Sequence, residues 1–182
     1  EKQARRFGTD VRYGMVTSVD FSVSPKKVIV DDTQEIFADA VIISTGASAK
    51  WLGLPSEQEY NGRGVSACAV CDGFFFRNQE VAIVGGGDTA AEEATYLANL
   101  CSKVTMLVRK DHSRASKAMI RRVENTPNIE VKFNHELIAI EGENSLVERA
   151  VVINNQTQET SKIDVHGIFI AIGHKPNTDI FK

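Results

Sequence analysis

A glycine-rich turn between an apolar run and an amphipathic stretch constrains the fold of this chain more than any other feature. The apolar run is Glu80–Val84, the turn contains Gly85 and Gly87, and Ala90 lies in the amphipathic stretch that follows. The first glycine makes a tight turn, the second lets the backbone approach a pyrophosphate, and a small third residue keeps a helix close to a sheet. The spacing predicts a dinucleotide site at the N-terminus of a helix; a turn that only needs glycine conformations is the alternative.

The pattern around this turn completes a strand-helix-strand unit. Residues 89–100 carry alanine and leucine at helical spacing, and Lys103–Val108 is the next apolar run. Such a unit is typical of an α/β, three-layer, Rossmann-like domain. Thr89 stands where phosphates would bind. The carboxylate of Asp88 would repel them, so we expect Asp88 to turn away and cap the helix.

Two further apolar runs, residues 40–46 and 167–173, each end in glycine and predict strands that are covered on both faces. Alternating, β-branched stretches between residues 11 and 37 predict a small β meander before the first run. Residues 47–64 are rich in glycine, proline, serine and charge, so we place a domain boundary there, beginning near Ala49. The two apolar runs that end in glycine suggest that the chain crosses twice between domains.

The remaining pattern predicts a second helix and several short strands. Apolar residues between positions 115 and 123 form a helix face, and Pro127 ends the helix because proline cannot continue it. Short strands are predicted at residues 129–133, 137–140 and 147–153.

The end of the second predicted strand indicates which nicotinamide cofactor binds. In NAD sites an acidic residue about 20 positions after the glycines accepts the ribose hydroxyls, whereas NADP sites place positive charge there. This chain has Arg109 and Lys110 at that position and Arg114 a few residues later. We therefore expect NADPH. Asp111 in the same stretch would support NAD, and a solvated basic surface is the remaining alternative.

Cys68 and Cys71 form a Cys-x-x-Cys motif shortly before the glycine turn. This spacing lets two thiols close a small disulfide ring, and a positive field nearby would stabilise the thiolate that exchange requires. Asp72 follows directly and is placed to relay a proton to a leaving thiolate. Half of a zinc site is the alternative, but the four histidines are scattered, so we expect no metal. Cys101 follows an apolar helix face and is expected to be a packed thiol.

Composition argues against several classes of partner. The net charge is −3 and basic residues are spread along the 182 residues, so we expect neither nucleic acid nor an anionic membrane to bind. No apolar run approaches the roughly 20 residues that span a bilayer, and three cysteines are too few for a secreted disulfide scaffold. We expect a cytoplasmic protein with a small soluble partner. The chain lacks an initiator methionine, and we interpret it as part of a longer protein.

Three stretches of sequence together carry a family resemblance. They read Cys-Ala-Val-Cys-Asp-Gly-Phe-Phe-Phe-Arg-Asn from Cys68, Gly-Gly-Gly-Asp-Thr-Ala-Ala-Glu-Glu-Ala from Gly85, and Ala-Ile-Gly-His-Lys-Pro-Asn-Thr from Ala171. On these motifs the chain resembles low-molecular-weight thioredoxin reductase along essentially its whole length. The resemblance implies a homodimeric flavoprotein of the two-dinucleotide-binding-domain type, with one domain for FAD and one, inserted into it, for NADPH.

The resemblance also implies a domain layout. Residues 1–48 would be a partial FAD-binding domain, residues 49–173 the NADPH-binding domain with the redox dithiol, and residues 174–182 the start of the return to the FAD domain. The crossing residues that it implies as cofactor contacts are Thr45, Gly46 and Ala47 on the FAD side and Ile172 and Gly173 for NADPH.

Roles for the dithiol follow from the same resemblance. In such an enzyme hydride passes from NADPH to FAD, the electrons reduce the disulfide, and the dithiol reduces thioredoxin. Carried over by position, Cys71 would face the flavin, Cys68 would attack the thioredoxin disulfide, and Asp72 would donate the proton. NADPH and the dithiol lie on one domain and both need the same flavin, so they should take turns at it. The NADPH-binding domain is therefore expected to rotate about its two crossings. The isolated chain is expected to hold no FAD and to show no turnover.

The sequence departs from the family at the phosphate clamp, which usually reads His-Arg-Arg-x-x-x-Arg. Here Val108 replaces the histidine and Lys110 the second arginine. Lysine lacks the bidentate fork of arginine, which weakens the expected discrimination against NADH. Two other functions fit the same residues: the flavoprotein reductase subunit of a peroxide-reducing system, and an NADPH-binding module without electron transfer. The Cys-x-x-Cys motif argues against the second.

Overall fold

The computed structural model describes residues 1–181. The chain divides into two compact units: Ala49–Lys175 is the larger, and Glu1–Ser48 together with the chain from Pro176 onward is the smaller. The elements of the smaller unit are helix α1 (Lys2–Arg6), the antiparallel strands β1 (Val16–Asp20), β2 (Lys26–Val30) and β3 (Gln34–Ala38), and a 3-10 helix at Asp179–Phe181. The sheet has the order β1-β2-β3, which confirms the predicted meander.

The apolar run at residues 40–46 is not the buried strand that its sequence predicts. Residues 41–46 have no regular secondary structure and are exposed, Ile42 by 94%. A strand covered on both faces needs paired neighbours, and no strand within residues 1–181 pairs with this run. Asn177 holds its end instead: the Asn177 N–H donates to the Gly46 carbonyl at 3.0 Å, and the Thr45 hydroxyl donates to the Asn177 carbonyl at 2.6 Å.

From the first crossing onward the chain alternates strands and helices as far as residue 133 and then continues through five strands to residue 176. The elements are β4 (Ala47–Ala49), α2 (Pro55–Glu59), β5 (Val65–Ser66), α3 (Ala69–Asp72), a 3-10 helix (Gly73–Phe76), β6 (Glu80–Val84), α4 (Asp88–Ala98), β7 (Lys103–Val108), α5 (Lys117–Glu124), β8 (Ile129–Phe133), β9 (His135–Glu143), β10 (Leu146–Asn154), β11 (Thr160–Asp164), β12 (Gly167–Ile170) and β13 (His174–Pro176). Strands β4 and β13, where the chain crosses between the units, form a two-stranded sheet.

A five-stranded parallel sheet with the order β5-β12-β6-β7-β8 forms the centre of the larger unit. Side chains alternate between its two faces. On one face Ile83 belongs to a buried cluster with Leu97 of α4. On the other, Ala82 and Leu107 belong to a cluster with Val152 of the antiparallel sheet β11-β10-β9. The unit therefore has the predicted three layers: helices, a parallel sheet and an antiparallel sheet.

Sequence patterns predicted the parallel sheet more accurately than the layer beside it. Strands β6, β7 and β8 have their predicted bounds, and all four residues of β12 are buried, as expected for a strand covered on both faces. Helix α4 begins one residue before and ends two residues before the predicted range 89–100. Strands β9 and β10 are longer than predicted. Strand β11 was not predicted, because it is an exposed edge strand with little apolar patterning.

The strand order locates a binding edge. The chain runs from β6 to β7 and β8 on one side, while β12 and β5 lie on the other side of β6. In open parallel sheets, ligands bind outside the carboxyl ends of the strands at such a reversal of strand order. The turn after β6, the loop after β7 and the end of β12 therefore meet at the edge where a ligand is expected.

Candidate functional site

A cleft of about 560 Å³ opens at this edge of the sheet. It is lined by eight of the ten residues that sequence analysis assigned to NADPH: Gly85, Gly87, Thr89, Arg109, Lys110, Arg114, Ile172 and Gly173. The other two, Asp88 and Ala90, do not line it. Ala90 is fully buried behind the turn. The β6–α4 turn, the loop after β7 and the end of β12 thus share one cavity.

Gly85 and Gly87 of the β6–α4 turn lack a side chain for two different physical reasons. Gly85 adopts φ +151°, and a Cβ on it would lie 2.4 Å from the carbonyl oxygen of Ala171 and 2.8 Å from the Cβ of Ala90. Gly85 is therefore required by the close approach of β12 and α4. Gly87 has an ordinary φ of −104°, and a Cβ there would meet nothing within 4 Å. Its missing side chain leaves open space over the cleft, as a bound pyrophosphate would need.

Asp88 turns away from the cleft, but it does not cap α4 as predicted. Gly87 is the N-cap residue, and no side chain caps the helix. The Asp88 carboxylate instead accepts the N–H of Ser116 at 2.8 Å, and the Ser116 N–H and hydroxyl lower the pKa of Asp88. The loop before α5 folds back across the turn, where the Arg114 N–H donates to the Gly86 carbonyl at 2.6 Å. The Asp88 carboxylate is therefore bound to Ser116, and no side chain caps the backbone amides in the first turn of α4.

Positive charge lines one side of the cleft. Arg109, Lys110 and Arg114 all contribute to the lining, and none of them forms an ion pair within residues 1–181. The backbone that carries them is fixed from the antiparallel layer and its neighbouring turn. The Asn155 side chain donates to the Arg109 carbonyl at 2.7 Å, and the Asn134 N–H donates to the Lys110 carbonyl at 3.0 Å. Three cations are therefore held beside the cavity without a carboxylate partner.

Asp111, whose carboxylate would have supported NAD, does not line the cleft. Its Oδ1 lies 2.5 Å from Nδ1 of His112, which lowers the pKa of Asp111. The acidic side chain that does line the cleft is Glu136, which sequence analysis did not single out. Its Oε1 accepts a hydrogen bond from the Asn155 amide at 2.9 Å.

Lys50 and Leu52 also line the cleft and were not predicted to do so. The Lys50 N–H donates to the Gly173 carbonyl at 3.0 Å, which fixes this segment to the end of β12. The carboxylate of Glu57, only 2% exposed, accepts the N–H groups of Leu52 at 2.9 Å and Gly53 at 2.8 Å. An acidic side chain at the third position of a helix that reaches back to preceding amides is a known capping signal. That signal was present in the sequence at Glu57, whereas nothing marked Lys50.

The two cysteines of the Cys-x-x-Cys motif form a disulfide, with their Cα atoms 5.3 Å apart. Cys68 is the N-cap residue of α3, and its Sγ accepts the Cys71 N–H at 3.2 Å. Cys68 is half-buried and Cys71 is exposed. The disulfide therefore lies at the start of a short helix, with one sulfur-bearing residue open to solvent.

Asp72 is held beside the disulfide by Ser66, a residue that sequence analysis missed. The Ser66 hydroxyl donates to the Asp72 carboxylate at 2.6 Å, and the same hydroxyl accepts the Cys68 N–H at 3.0 Å. Ser66 is buried at the end of β5, so the parallel sheet fixes the start of the dithiol loop and the orientation of Asp72 together. The local sequence carries no signal for this contact, because it depends on the turn between β5 and α3.

Three further observations limit the chemistry. No group of three or more His, Cys, Asp or Glu side chains in residues 1–181 is arranged to hold a metal ion. Cys101 is free and buried, and burial raises the pKa of its thiol to about 11, so it is the packed thiol that was predicted. None of the described helices is long and apolar enough to cross a membrane.

The fold and the site define a class: an α/β dinucleotide-binding unit that also carries a disulfide of redox spacing. The family model described as pyridine nucleotide-disulphide oxidoreductase matches residues 2–182, and the chain belongs to that family. The thioredoxin reductase of Vibrio cholerae is 46% identical over 185 residues, covering 100% of this chain and 58% of that protein. That of Eremothecium gossypii is 49% identical over 183 residues, covering 98% of this chain and 57% of that protein.

Solved structures give the same likeness. The thioredoxin reductase of Lactococcus lactis superposes with a TM-score of 0.85 at 37% identity, and that of Giardia duodenalis with a TM-score of 0.85 at 39% identity. Each match covers 98% of this chain and 58% of the other. The predicted family resemblance and the two-dinucleotide-binding-domain fold class are therefore confirmed. The chain spans 58% of the length of the Vibrio cholerae relative.

Proposed function

We propose that this chain is the dinucleotide-binding, disulfide-carrying part of a thioredoxin reductase, which moves electrons from NADPH through FAD to the Cys68–Cys71 disulfide and then to thioredoxin. One observation carries the proposal: a cationic dinucleotide cleft and a disulfide of redox spacing lie on the same compact unit. The names of the relatives at 46% and 49% identity support the choice of thioredoxin as substrate.

The residues of the cleft fit NADPH. Gly87 leaves room for a pyrophosphate beside the uncapped N-terminus of α4, where backbone amides and the helix dipole favour an anion. Arg109, Lys110 and Arg114 would hold the additional phosphate of NADPH, which NADH lacks. Ile172 and Gly173 lie at the end of β12, on the opposite side of the turn, where the nicotinamide half would lie. When bound, the nicotinamide supplies a hydride.

The domain layout and the FAD contacts are part of the proposal. Residues 1–48 would belong to a partial FAD-binding domain, residues 49–173 to the NADPH-binding domain, and residues 174–182 to the return. Thr45, Gly46 and Ala47 would lie on the FAD side. Their support is the resemblance, together with the turn at Gly46, which adopts φ +69° and is held by Asn177. A homodimer and a cytoplasmic location remain predictions from the sequence and the resemblance.

The reduced pair would act by thiol–disulfide exchange. The Cys68 thiolate attacks one sulfur of the partner disulfide; a mixed disulfide forms and the partner's other sulfur leaves as a thiolate. Asp72 in its protonated form gives that thiolate a proton. Asp72, now a carboxylate, takes the proton of the Cys71 thiol, and the resulting Cys71 thiolate attacks the Cys68 sulfur. This restores the Cys68–Cys71 disulfide, and the departing partner sulfur takes that proton from Asp72, so that the partner leaves as a dithiol. Ser66 orients Asp72 through the 2.6 Å hydrogen bond.

An exposed apolar patch beside the disulfide favours a protein partner. Val70 is 69% exposed, Phe74 62% and Phe75 75%, and all three are within four residues of Cys71. Apolar side chains that are clustered on a surface mark sites of protein–protein contact. A small soluble disulfide would need no such surface, so the patch supports a disulfide protein such as thioredoxin.

The full-length protein with its flavin tests the proposal. NADPH oxidation is measured with oxidised thioredoxin in the wild type and in the Cys68→Ser/Cys71→Ser variant. We expect turnover only in the wild type. Cys71→Ser, mixed with a single-cysteine thioredoxin activated by thionitrobenzoate, should release the dye and give an adduct that mass spectrometry maps to Cys68. Turnover in the double variant, or with a peroxidase protein and not with thioredoxin, overturns the proposal.

A further inference from the structure

The cleft contains a carboxylate for which the proposed function has no use. Glu136 on β9 lines the same cavity as Arg109, Lys110 and Arg114, yet none of the ion pairs within residues 1–181 includes it. Its Oε1 accepts a hydrogen bond from the Asn155 amide at 2.9 Å. An ionised carboxylate has lone pairs for further bonds, so Glu136 can accept a donor that enters the cleft.

The Asn155 amide fixes where this carboxylate lies. The same Nδ2 atom donates to the Arg109 carbonyl at 2.7 Å and to Glu136 Oε1 at 2.9 Å, so the two acceptors are neighbours on one nitrogen. The backbone of Asn155 is held as well, because its N–H donates to the Asn134 carbonyl at 2.8 Å. Arg109 directly follows β7. The Glu136 carboxylate therefore lies at the carboxyl end of β7.

The carboxyl end of β7 is where this fold distinguishes the two nicotinamide cofactors. NAD sites place an acidic side chain there for the ribose hydroxyls, and NADP sites place positive charge there for the additional phosphate. This chain has both: Arg109 and Lys110 come from the end of the strand, and Glu136 comes from the antiparallel layer beside it. The cleft therefore carries the charges of both kinds of site.

We propose that Glu136 is a specificity-determining residue of the cleft: its carboxylate accepts a ribose hydroxyl of NADH, repels the additional phosphate of NADPH, and so narrows the preference for NADPH. This inference rests on the proposed function, in which a nicotinamide cofactor binds here. A hydrogen bond to a carboxylate is stronger than one between neutral groups. A negative charge at the same place weakens the binding of a phosphate, by an amount that salt reduces. Asn155 is the positioning residue, because its amide holds the Glu136 carboxylate beside the Arg109 backbone.

Equilibrium binding of the oxidised cofactors tests this inference without turnover. NAD+ and NADP+ are titrated into the full-length protein with its flavin, at low ionic strength, by isothermal titration calorimetry. Glu136→Gln keeps the side-chain volume and an acceptor for Asn155 but removes the charge. We expect NADP+ to bind about fivefold more tightly and NAD+ about threefold more weakly. Glu143→Gln, an exposed carboxylate at the other end of β9, is the matched control, and both of its affinities should stay within about twofold of the wild type.

A second variant and a change of salt separate charge from shape. Glu136→Asp keeps the negative charge but shortens the side chain, so its NADP+ affinity should stay within about twofold of the wild type while NAD+ binds more weakly. The tighter NADP+ binding of Glu136→Gln should largely disappear in about 0.5 M salt, because salt screens an exposed charge.

The inference is overturned if Glu136→Gln changes the ratio of the two affinities no more than Glu143→Gln does, or if its gain in NADP+ affinity persists at high salt. The proposed function has a separate failure: NADPH would bind to the wild-type protein and yet leave the Cys68–Cys71 disulfide oxidised.

Discussion

The dinucleotide cleft and the redox disulfide lie on the same unit but are built in different ways. The cleft is formed by backbone at the carboxyl ends of parallel strands, and its shape depends on how closely β12 approaches Gly85. The disulfide stands at the start of α3, a helix of only four residues. Its chemistry is concentrated in two sulfur atoms and in Asp72, which one hydroxyl group holds in place.

This difference in construction leads to different responses to substitution. Binding in the cleft is shared between helix amides and three cations, so the loss of one side chain removes only a fraction of the affinity. A change in the backbone of the turn removes the site as a whole. At the disulfide each step of the exchange depends on one sulfur atom or one carboxyl group. Substitution of a single side chain can therefore lower the rate of exchange while the fold stays the same.

The largest effect is expected for Asp72→Asn. The amide cannot donate a proton in place of the carboxylic acid, so turnover with oxidised thioredoxin should fall about a hundredfold. The affinity for NADPH, measured by fluorescence titration, should stay within about twofold, because the cleft is built from other residues. Ser66→Ala keeps the acid but loses its 2.6 Å hydrogen bond and should lower turnover several-fold. If Asp72→Asn kept more than half of the wild-type turnover, proton donation by this residue would be wrong.

The glycine turn gives the next largest effect. Gly85→Ala places a Cβ against the Ala171 carbonyl at a φ of +151°, so the free energy of unfolding should fall by about 2 to 4 kcal/mol and NADPH affinity by at least about tenfold. Gly87→Ala is the matched control, because a Cβ there meets nothing in the protein. It should weaken NADPH binding without changing the urea midpoint. Equal stability losses in the two variants would contradict this account of the turn.

The local sequence pattern was sufficient to predict the strands, the turn and the helix start that form the cleft. Strands β6 and β7 are short, mostly apolar runs, and the glycine motif between them specifies a tight turn and a helix start. The cations after β7 follow directly along the chain, so their place at the cleft followed once the strand was identified. Each of these inferences uses residues within about 30 positions of one another, a range in which periodicity and motif spacing are informative.

Features that depend on distant contacts were missed or wrongly predicted. Residues 40–46 and 167–173 share one pattern, but only the second contains a buried strand, because burial depends on neighbouring strands and not on the run itself. Asp88 does not cap α4, because its carboxylate accepts a hydrogen bond from Ser116, which lies 28 residues further along the chain. Lys50 reaches the cleft and Ser66 reaches Asp72 through contacts that no local pattern encodes.

A smaller effect is expected from a single cation of the cleft. Arg109→Gln should weaken NADPH binding about tenfold, because one charge-assisted contact to the additional phosphate is lost. NADH binding should change by less than about twofold, since NADH has no phosphate at that position. Arg121→Gln, on the exposed part of α5, is the matched control and should change neither affinity. Equal losses for the two cofactors would show that Arg109 does not contact the additional phosphate.

The smallest effect is expected where the sheet is held by surface charge. Glu130 on β8 lies 2.7 Å from Lys103 and 2.6 Å from Lys132, and hydrogen bonds from these two lysines lower the pKa of Glu130 from 4.5 to about 2. The three side chains are 32% to 43% exposed, so solvent screens the pairs, and Glu130→Gln should lower the free energy of unfolding by less than about 1 kcal/mol at pH 7.

Acidification should remove the difference between the wild type and Glu130→Gln. Because the pKa of Glu130 is lower in the folded protein, its contribution is present above the unfolded value of 4.5 and is lost as the pH falls through about 2. Urea unfolding between pH 7 and pH 3 should show the two proteins converging, with equal NADPH affinity at pH 7. A difference above about 2 kcal/mol at pH 7 would mean that surface charge and not buried packing holds β8 against β7. A difference that grows on acidification would show that the ion pairs of Glu130 are not its source.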